Sequence, residues 1–400
     1  MDFAGERYYK LNRILLLALG LWPDQISTFK SIQIIFFQTL FISFLICQCI
    51  PFFVKQYNLK CIIKMLSHVF LTCMFIINYN VGLFFSDKIK YIFDSVRYDW
   101  NMVEAQEEVQ VLRKYANDAK FHTVFVFLMG TCFSLGLPLI ICLPLILDVI
   151  IPMNESRPRQ TIINVEYFVD EETYFLAIWT HICIHFYAGF ITIMAITTII
   201  LAYISHICAL FRISSYRMEH IFDKNVQLLL KDIKQSVVYN SLINAVHVHR
   251  RALDSVNIML NSFSPIYLLL LVLILPSTSL SIFNLINAVT SPEIVELIMC
   301  GSILFLHLYS IFLGNYIGQD IIDNSTDICQ ATYNAQWYAA PLGIQKLILL
   351  IIQRSNKRCT LLIGGLFDAS LEGFSTLLSM CVSYLMVLQS VGPHKESGKK

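Results

Sequence analysis

Histidine, acidic and cysteine side chains are the residues of this 400-residue chain that could carry chemistry. His181 and His185 have the spacing of two zinc ligands on one helix face, but no third ligand stands near them in the sequence. His247 and His249 precede two arginines, which is typical of a solvated polar face. We interpret His181 and His185 as a hydrogen-bonded buried pair or a polar point in a ligand cavity.

The other candidate groups do not indicate catalysis. Asp320, Asp323 and Asp327 could suggest calcium binding, but the run lacks the glycine and the terminal glutamate of an EF-hand loop. The 12 cysteines are scattered without a CxxC pair, so no zinc or thioredoxin-like motif is indicated. Glycine-rich phosphate loops and G-x-S-x-G motifs do not occur. The sequence predicts no enzyme, no cofactor and no metal.

Composition and charge indicate a membrane protein. Hydrophobic residues make up 56% of the chain and charged residues 14%, whereas soluble chains are about 25% charged. The charges are missing in blocks, as expected for segments that cross a lipid bilayer. A net charge of +1 gives no long-range attraction to nucleic acid.

Seven charge-poor stretches are long enough to cross a bilayer, which needs about 20 residues. They are 31–54, 61–86, 121–147, 173–211, 255–292, 297–319 and 373–392. The fourth and fifth are nearly twice the required length, so part of each must project beyond the bilayer. The segment between them keeps helical periodicity without proline or glycine, which predicts two projecting helices packed on each other. We predict an all-α membrane protein with seven transmembrane helices.

The charge distribution predicts a cytoplasmic N-terminus and an extracellular C-terminus. In that orientation the inner segments hold most of the 29 lysines and arginines. The outer loop 148–172 is acidic and carries a possible glycosylation site at Asn154, which requires the lumenal side. The short apolar run 14–22 lacks a cleavage site, so we expect an uncleaved interfacial helix with Trp22 at headgroup level.

These features divide the chain into four parts. Residues 1–319 form a six-span bundle that includes the interfacial helix and the cytoplasmic helix extensions at 207–254. Residues 320–372 form a cytoplasmic anchor region, with a small-residue break at Gly364-Gly365. Residues 373–392 form the seventh span, and 393–400 form a short tail.

The seventh span carries a polar stripe at helical spacing. Its members are Thr376, Ser379, Ser383 and Ser390, with Val387 filling the gap. One interpretation is a pore-lining helix in which Val387 and Val391 form an apolar constriction. The other is packing of small residues between helices, and the stripe alone favours it.

The C-terminal region resembles the signature of insect odorant receptors. The matching residues are Tyr333, Trp337-Tyr338, the run 349–355, Ser383-Tyr384 with Leu388, and the N-terminal run 20–23. Related gustatory receptors have Thr-Tyr, five apolar residues and Gln-Phe. Here Ser383-Tyr384 precedes four apolar residues and Gln389-Ser390, which favours the odorant branch.

The resemblance implies an odorant-specific subunit of a ligand-gated, non-selective cation channel. Such subunits form heterotetramers with a shared co-receptor in the plasma membrane of olfactory sensory neurons. They bind small volatile apolar molecules in the outer half of the membrane, between spans two, three, four and six. The candidate lining positions here, placed by their depth in these spans, are Thr72, Phe75, Phe133, Leu137, Ile178, Ile182, Phe186, His307 and Ser310. The resemblance further implies a gate at Ser383, Val387 and Val391, and an intersubunit anchor at Tyr333, Trp337 and Tyr338.

Three alternatives stay open: a gustatory-type receptor channel, a G-protein-coupled receptor and a secondary transporter. Against the second, no Asp-Arg-Tyr follows span three and no Asn-Pro-x-x-Tyr occurs in span seven. Against the third, the chain has no internal repeat and no charge at mid-depth of a span, where coupled ions bind.

Overall fold

The structure is a computed structural model that describes residues 5–25, 27–54, 57–151, 163–222, 233–289 and 294–391. It is almost entirely helical within those ranges. Its helices are α1 (Glu6–Ala18), α2 (Thr28–Cys49), α3 (Pro51–Val54), α4 (Leu59–Phe84), α5 (Ser86–Met102), α6 (Gln106–Ile150), α7 (Phe175–Glu219), α8 (Ile233–Val289), α9 (Ile294–Asn334), a 3-10 helix (Trp337–Ala339), α10 (Leu342–Ser355) and α11 (Leu371–Val391). Two strands, β1 (Leu362–Ile363) and β2 (Phe367–Asp368), precede α11.

Seven helices of the described chain are long and apolar enough to cross a membrane, which confirms the predicted number. They are α2, α4, α6, α7, α8, α9 and α11. The predicted surplus length is also confirmed, because α7 has 45 residues and α8 has 57. At about 1.5 Å per residue α8 is about 85 Å long, nearly three times a hydrocarbon core of about 30 Å.

The projecting ends of α7 and α8 pack on each other, as predicted. Ser214 Oγ donates to the carbonyl oxygen of Ala245 at 3.0 Å, and Arg217 Nη1 donates to that of Asn244 at 3.1 Å. The same guanidinium donates to both carboxylate oxygens of Glu108 at 2.6 and 2.7 Å, which ties α6 to the pair. Because Glu108 is buried, this charge-assisted contact fixes the three helices relative to one another.

A second hydrophobic core forms where α10 covers these helix ends. Met218, Phe222 and Val238 are buried there against Ile344 and Ile348 of α10. A short apolar helix that cannot span a bilayer thus packs chiefly on α9 and buries its apolar face in a core shared with the extensions of α7 and α8. Helix α9 reaches this region without a break, because it continues past residue 319 to Asn334.

A two-stranded antiparallel hairpin connects α10 to α11. Leu362 pairs with Asp368 and Ile363 with Phe367. Gly364 and Gly365 have φ of +60° and +71°, which a residue with a Cβ rarely adopts. A Cβ at Gly364 would also overlap Leu268 of α8, so glycine is required by both backbone and packing.

The N-terminal helix packs one face on the rest of the protein. Tyr8 stacks on Trp100 with ring centroids 5.8 Å apart, and Trp22 contacts Phe93 edge-on at 4.9 Å. Trp22 is only 5% exposed, contrary to the expected headgroup contact. Helix α1 therefore belongs to the hydrophobic core that surrounds α7.

Candidate functional site

A cavity of about 260 Å³ lies among α4, α6, α7, α8, α9 and the β-hairpin. Most of its wall is aliphatic, and flexible methionines from four helices line it. They are Met74, Met129, Met194 and Met259. Unbranched thioether side chains adapt to the shape of an apolar ligand, so the wall suits binding by contact and dispersion.

Polar side chains of the wall mostly satisfy their hydrogen bonds within the protein. Asn78 Nδ2 donates to the carbonyl oxygen of Met74 at 2.8 Å, and Ser310 Oγ donates to that of Leu306 at 2.8 Å. The ring nitrogens of His307 lie 3.4 Å from the hydroxyls of Ser277 and Ser281. The cavity therefore offers few strong hydrogen bonds to a ligand.

Tyr267 of α8 differs from these polar residues. It lines the cavity, and no residue in the described ranges accepts from or donates to its hydroxyl. The Tyr267 side chain is half-buried, and a ligand oxygen in the cavity can pair with its hydroxyl.

One end of the cavity adjoins the start of α11. Ala369 and Phe367 of the hairpin form part of the wall. Asn315 Oδ1 accepts from the backbone N–H of Ser370 at 3.2 Å, and Gln319 Oε1 accepts from that of Leu371 at 3.3 Å. Helix α9 thus lines the cavity and also holds the first residues of α11.

Two of the nine predicted ligand-binding residues, His307 and Ser310, lie in this wall. Others surround His185 in close packing: Thr72 Oγ1 is 3.2 Å from His185 Nε2, and Phe75 and Phe186 contact the imidazole with centroids 5.6 and 5.3 Å away.

The remaining predicted ligand-binding positions also lie away from the wall or beyond what the structure describes. Ile178 and Ile182 are buried outside the wall, and Phe133 packs on Phe305. The side chain of Leu137 lies outside the described residues. The sequence analysis missed Asn78, Tyr267 and Gly314, which carry no sequence signal beyond their place in a span.

The histidine pair forms hydrogen bonds to hydroxyls rather than a metal site. His181 lies 3.2 Å from Ser43 Oγ through Nε2 and 2.8 Å from the Tyr167 hydroxyl through Nδ1. Burial raises the pKa of Tyr167, so this hydroxyl keeps its proton. Within the described ranges, no group of three potential ligands could hold a metal ion.

The polar stripe of α11 does not pack on the other residues that the structure describes. Ser383 and Val387 are exposed, and Val387 is 59% accessible. The opposite face is buried at Leu377 and Cys381, where Ser279 Oγ of α8 donates to the carbonyl oxygen of Cys381 at 3.0 Å. Packing of small residues within this chain therefore does not account for the stripe. The side chain of Val391 lies outside the described residues.

The predicted anchor residues occupy different environments. Tyr333 and Tyr338 are exposed, with 70% of Tyr338 accessible, whereas Trp337 is partly buried against the second core. The predicted glycosylation site at Asn154 lies outside the described residues.

Comparison with solved structures shows the fold. The insect olfactory receptor OR5 from Machilis hrabei in complex with eugenol has a TM-score of 0.77 and 15% sequence identity. The match covers 97% of this chain and 98% of that receptor. A second structure of OR5 from the same organism matches with a TM-score of 0.76.

Sequence comparison shows the family. Odorant receptor Or2 of Anopheles gambiae is 30% identical over 25% of this chain and 27% of its own length. Odorant receptor 9a of Drosophila melanogaster is 22% identical over 51% of this chain and 49% of its own length. The chain thus spans half or less of the length of these curated relatives. A family model described as the 7tm odorant receptor matches residues 58–382. The chain is therefore a multi-pass membrane protein that belongs to the 7tm odorant receptor family.

Proposed function

We propose that this chain is an odorant-binding subunit of a ligand-gated, non-selective cation channel, a receptor rather than an enzyme. Its partners would be a small volatile odorant and a shared co-receptor subunit in a tetramer. One observation carries the proposal: the wall of the apolar cavity includes the segment that leads into α11, whose polar stripe no other helix in the described ranges covers.

Binding in this cavity would rest on burial of apolar surface. Each Å² of apolar surface removed from water contributes about 25 cal/mol, so a molecule with few polar atoms can bind without strong hydrogen bonds. A ligand shifts the equilibrium between closed and open channel only if it binds the open form more tightly. Contacts at Phe367 and Ala369 offer that difference, because a movement of α11 changes their position.

Gating would take place on α11. In the tetramer its stripe would face the central axis, and Val387 with Val391 would form an apolar ring. Such a ring stops ions by dewetting, because methyl groups do not replace the hydration shell of an ion. Exposure of Ser383 and Val387 supports this arrangement.

The proposed orientation places the N-terminus in the cytoplasm of an olfactory sensory neuron, with the channel in its plasma membrane. Residues 320–372 would then form the cytoplasmic anchor, with Tyr333, Trp337 and Tyr338 at the intersubunit contact. Labelling of an N-terminal epitope on intact cells would contradict this orientation. If the outer loop is glycosylated, Asn154→Gln removes the glycan.

The test of the proposed function is current recorded from cells that express this chain, the co-receptor or both. We expect odorant-evoked current whose ligand ranking depends on this chain. Leu271 lines the cavity, so the larger side chain of Leu271→Trp should occupy part of it and change that ranking. Val272→Trp is the matched control, because Val272 is the next residue, is 59% exposed and does not line the cavity. Equal effects of the two variants on ligand ranking would show that the cavity does not recognise the ligand.

A further inference from the structure

The cavity is long in one direction. Its wall runs along α9 from Ile303 to Ile317, along α8 from Met259 to Ile274 and along α7 from Phe190 to Ile204. At about 1.5 Å per residue each of these distances is about 21 to 23 Å. Helix α6 contributes only the short segment from Val126 to Gly130, about 6 Å. Three helices therefore agree on a long axis that runs parallel to them.

The volume shows that this long cavity is narrow. A sphere of about 260 Å³ would be only about 8 Å across, far less than the length of the wall. A compact ring-shaped molecule would fill one part and leave the rest empty. A ligand with an extended alkyl chain would contact the wall over its whole length. Dispersion attraction would then be greater, because it increases with the number of close contacts.

We propose that the preferred ligand is an unbranched apolar molecule of about 12 to 16 carbons with one neutral hydrogen-bonding group, lying parallel to α7, α8 and α9. Each carbon lengthens an extended alkyl chain by about 1.3 Å, because a carbon–carbon bond is about 1.5 Å long. A chain of about 12 to 16 carbons is therefore about 16 to 21 Å long, which matches the length of the cavity wall. This inference rests on the proposed function, because it names the ligand class of the same cavity.

The wall also selects the polar group of such a ligand. No Asp, Glu, Lys or Arg of the described chain lines the cavity, so an ionised carboxylate would lose its hydration without gaining a partner. Tyr267 of α8 offers its hydroxyl to one neutral oxygen. Alcohols, aldehydes, ketones and esters fit this requirement.

An unbranched alkyl chain in this cavity could come from two sources. The molecule could reach the cavity as a free compound, or the acyl chain of a bilayer lipid could occupy it. Both fill the same narrow volume, but only the second carries a charged or zwitterionic headgroup that must stay outside the cavity. Native mass spectrometry of the purified complex separates them, because a retained phospholipid has a distinct mass.

Gly314 allows the length of the cavity to be changed. It lines the cavity near the end that adjoins α11, and a Cβ at this position would meet no atom within 4 Å. A Cβ at Gly314 therefore fits without moving a neighbour, and Gly314→Leu adds apolar volume near that end of the cavity. Gly301→Leu is the matched control: it lies on the same helix, lies outside the wall, and its Cβ would have only Leu285 Cδ1 nearby, at 3.9 Å.

The experiment measures the affinity of 1-alkanols from hexanol to octadecanol, together with one compact benzenoid alcohol. Thermal stabilisation of the purified complex with co-receptor gives the affinity, and evoked current gives the response. For wild type we expect affinity to rise about fourfold per added methylene up to about 12 to 16 carbons, and then to fall. Gly314→Leu should move the maximum to chains about four carbons shorter, since about 4.5 Å of cavity is lost. Gly301→Leu should leave it in place.

A maximum at eight carbons or fewer, or equal weakening of every alcohol by Gly314→Leu, would overturn the inference. Current evoked by the benzenoid would leave the proposed function standing in that case. Conversely, chain-length-dependent stabilisation without current from any compound would support the ligand class and reject the channel function. A co-purified phospholipid that the long alcohols displace would show that the bound alkyl chain comes from the bilayer. If no phospholipid co-purifies, the alkyl chain belongs to a free ligand.

Discussion

Helices α7 and α11 both cross the membrane, but their surroundings differ. In the most apolar 18-residue window of α7, 83% of the residues are buried inside the chain, against 22% for α11. Helix α7 packs against α4, α6, α8 and α9, whereas α11 touches α8 and α9 along one face. The two helices have similar apolar composition, so composition does not set this difference.

The difference shows which contacts the chain completes alone. In lipid there is no hydrophobic drive between helices, so close packing and hydrogen bonds decide which faces meet. Helix α7 makes those contacts within the chain, through small residues such as Gly189 and polar residues such as His185. Helix α11 leaves most of its surface free for lipid, water or partner subunits. Substitutions on α7 should therefore affect folding, and those on α11 should affect the channel.

The largest expected effect follows from overpacking α7. A Cβ at Gly189 would overlap the ring of Phe75, which is fully buried. Gly189→Val should destabilise the fold by about 3 kcal/mol or prevent folding, because the ring has no free space to move into. Thermal melting of the purified chain measures the loss. Gly136→Val is the control, because a Cβ there meets no atom within 4 Å. Equal melting temperatures for the two variants would show that α7 is loosely packed.

The second prediction separates association from folding. Tyr338 is exposed, so Tyr338→Ala should weaken association by about 2 kcal/mol, as truncation of interface aromatic residues often does, without lowering the melting temperature. Trp337→Ala should weaken association by a similar amount or more and also lower stability, because Trp337 packs on the second core. Native gels report the complex and melting reports the fold. An undiminished complex in both variants would argue against an interface here.

The third prediction concerns the link between the two regions. Gln319→Ala removes the hydrogen bond to the N–H of Leu371 at the start of α11. A net loss of about 0.5 to 1 kcal/mol corresponds to a two- to fivefold change in the gating equilibrium. Gln319 does not line the cavity, so the half-maximal ligand concentration should shift while ligand ranking stays constant. Thr326→Ala, whose hydroxyl bonds only within α9, should change neither, and a similar shift there would implicate helix stability.

The smallest expected effect is on basal current. Val387→Ser should wet the apolar ring and raise basal current about twofold, a small change because co-receptor subunits would supply most of the ring. Ligand ranking should not change, since the cavity lies on other helices. Cysteine accessibility sharpens the test: external charged thiol reagents should modify Val387→Cys faster than Leu385→Cys, which is partly buried. Equal rates would remove α11 from the pore.

The sequence predicts the number and length of the spans because charge is costly in lipid. Blocks without charge therefore mark the helices, and the surplus of α7 and α8 is visible as residues beyond the span length. The packing of α8 on α7 at Ser214 and Ala245 follows from an uninterrupted helical pattern between them. These features depend on composition along the chain, which a single sequence contains.

The cavity could not be predicted in the same way, because it depends on which face of each helix points inward. Thr72 and Phe75 face the packed cluster of His185, whereas Asn78 reaches the cavity from the same helix. Both faces are apolar or weakly polar, so hydropathy does not separate them. The hairpin is different: Gly364-Gly365 between two short apolar runs is a hairpin signal that the sequence itself contains.

Helix α9 is a single rod of 41 residues without proline. Its N-terminal part lines the cavity, and its C-terminal part continues to the second core and the exposed Tyr333. About 25 Å of helix separates Ile317 from Asn334, so a tilt of about 5° at the cavity displaces the far end by about 2 Å. A small tilt of α9 that accommodates the shape of a ligand therefore becomes a larger displacement at its far end. One helix therefore contributes both to the range of ligands bound and to the proposed contact between subunits. A substitution in α9 that changes one of these properties is expected to change the other.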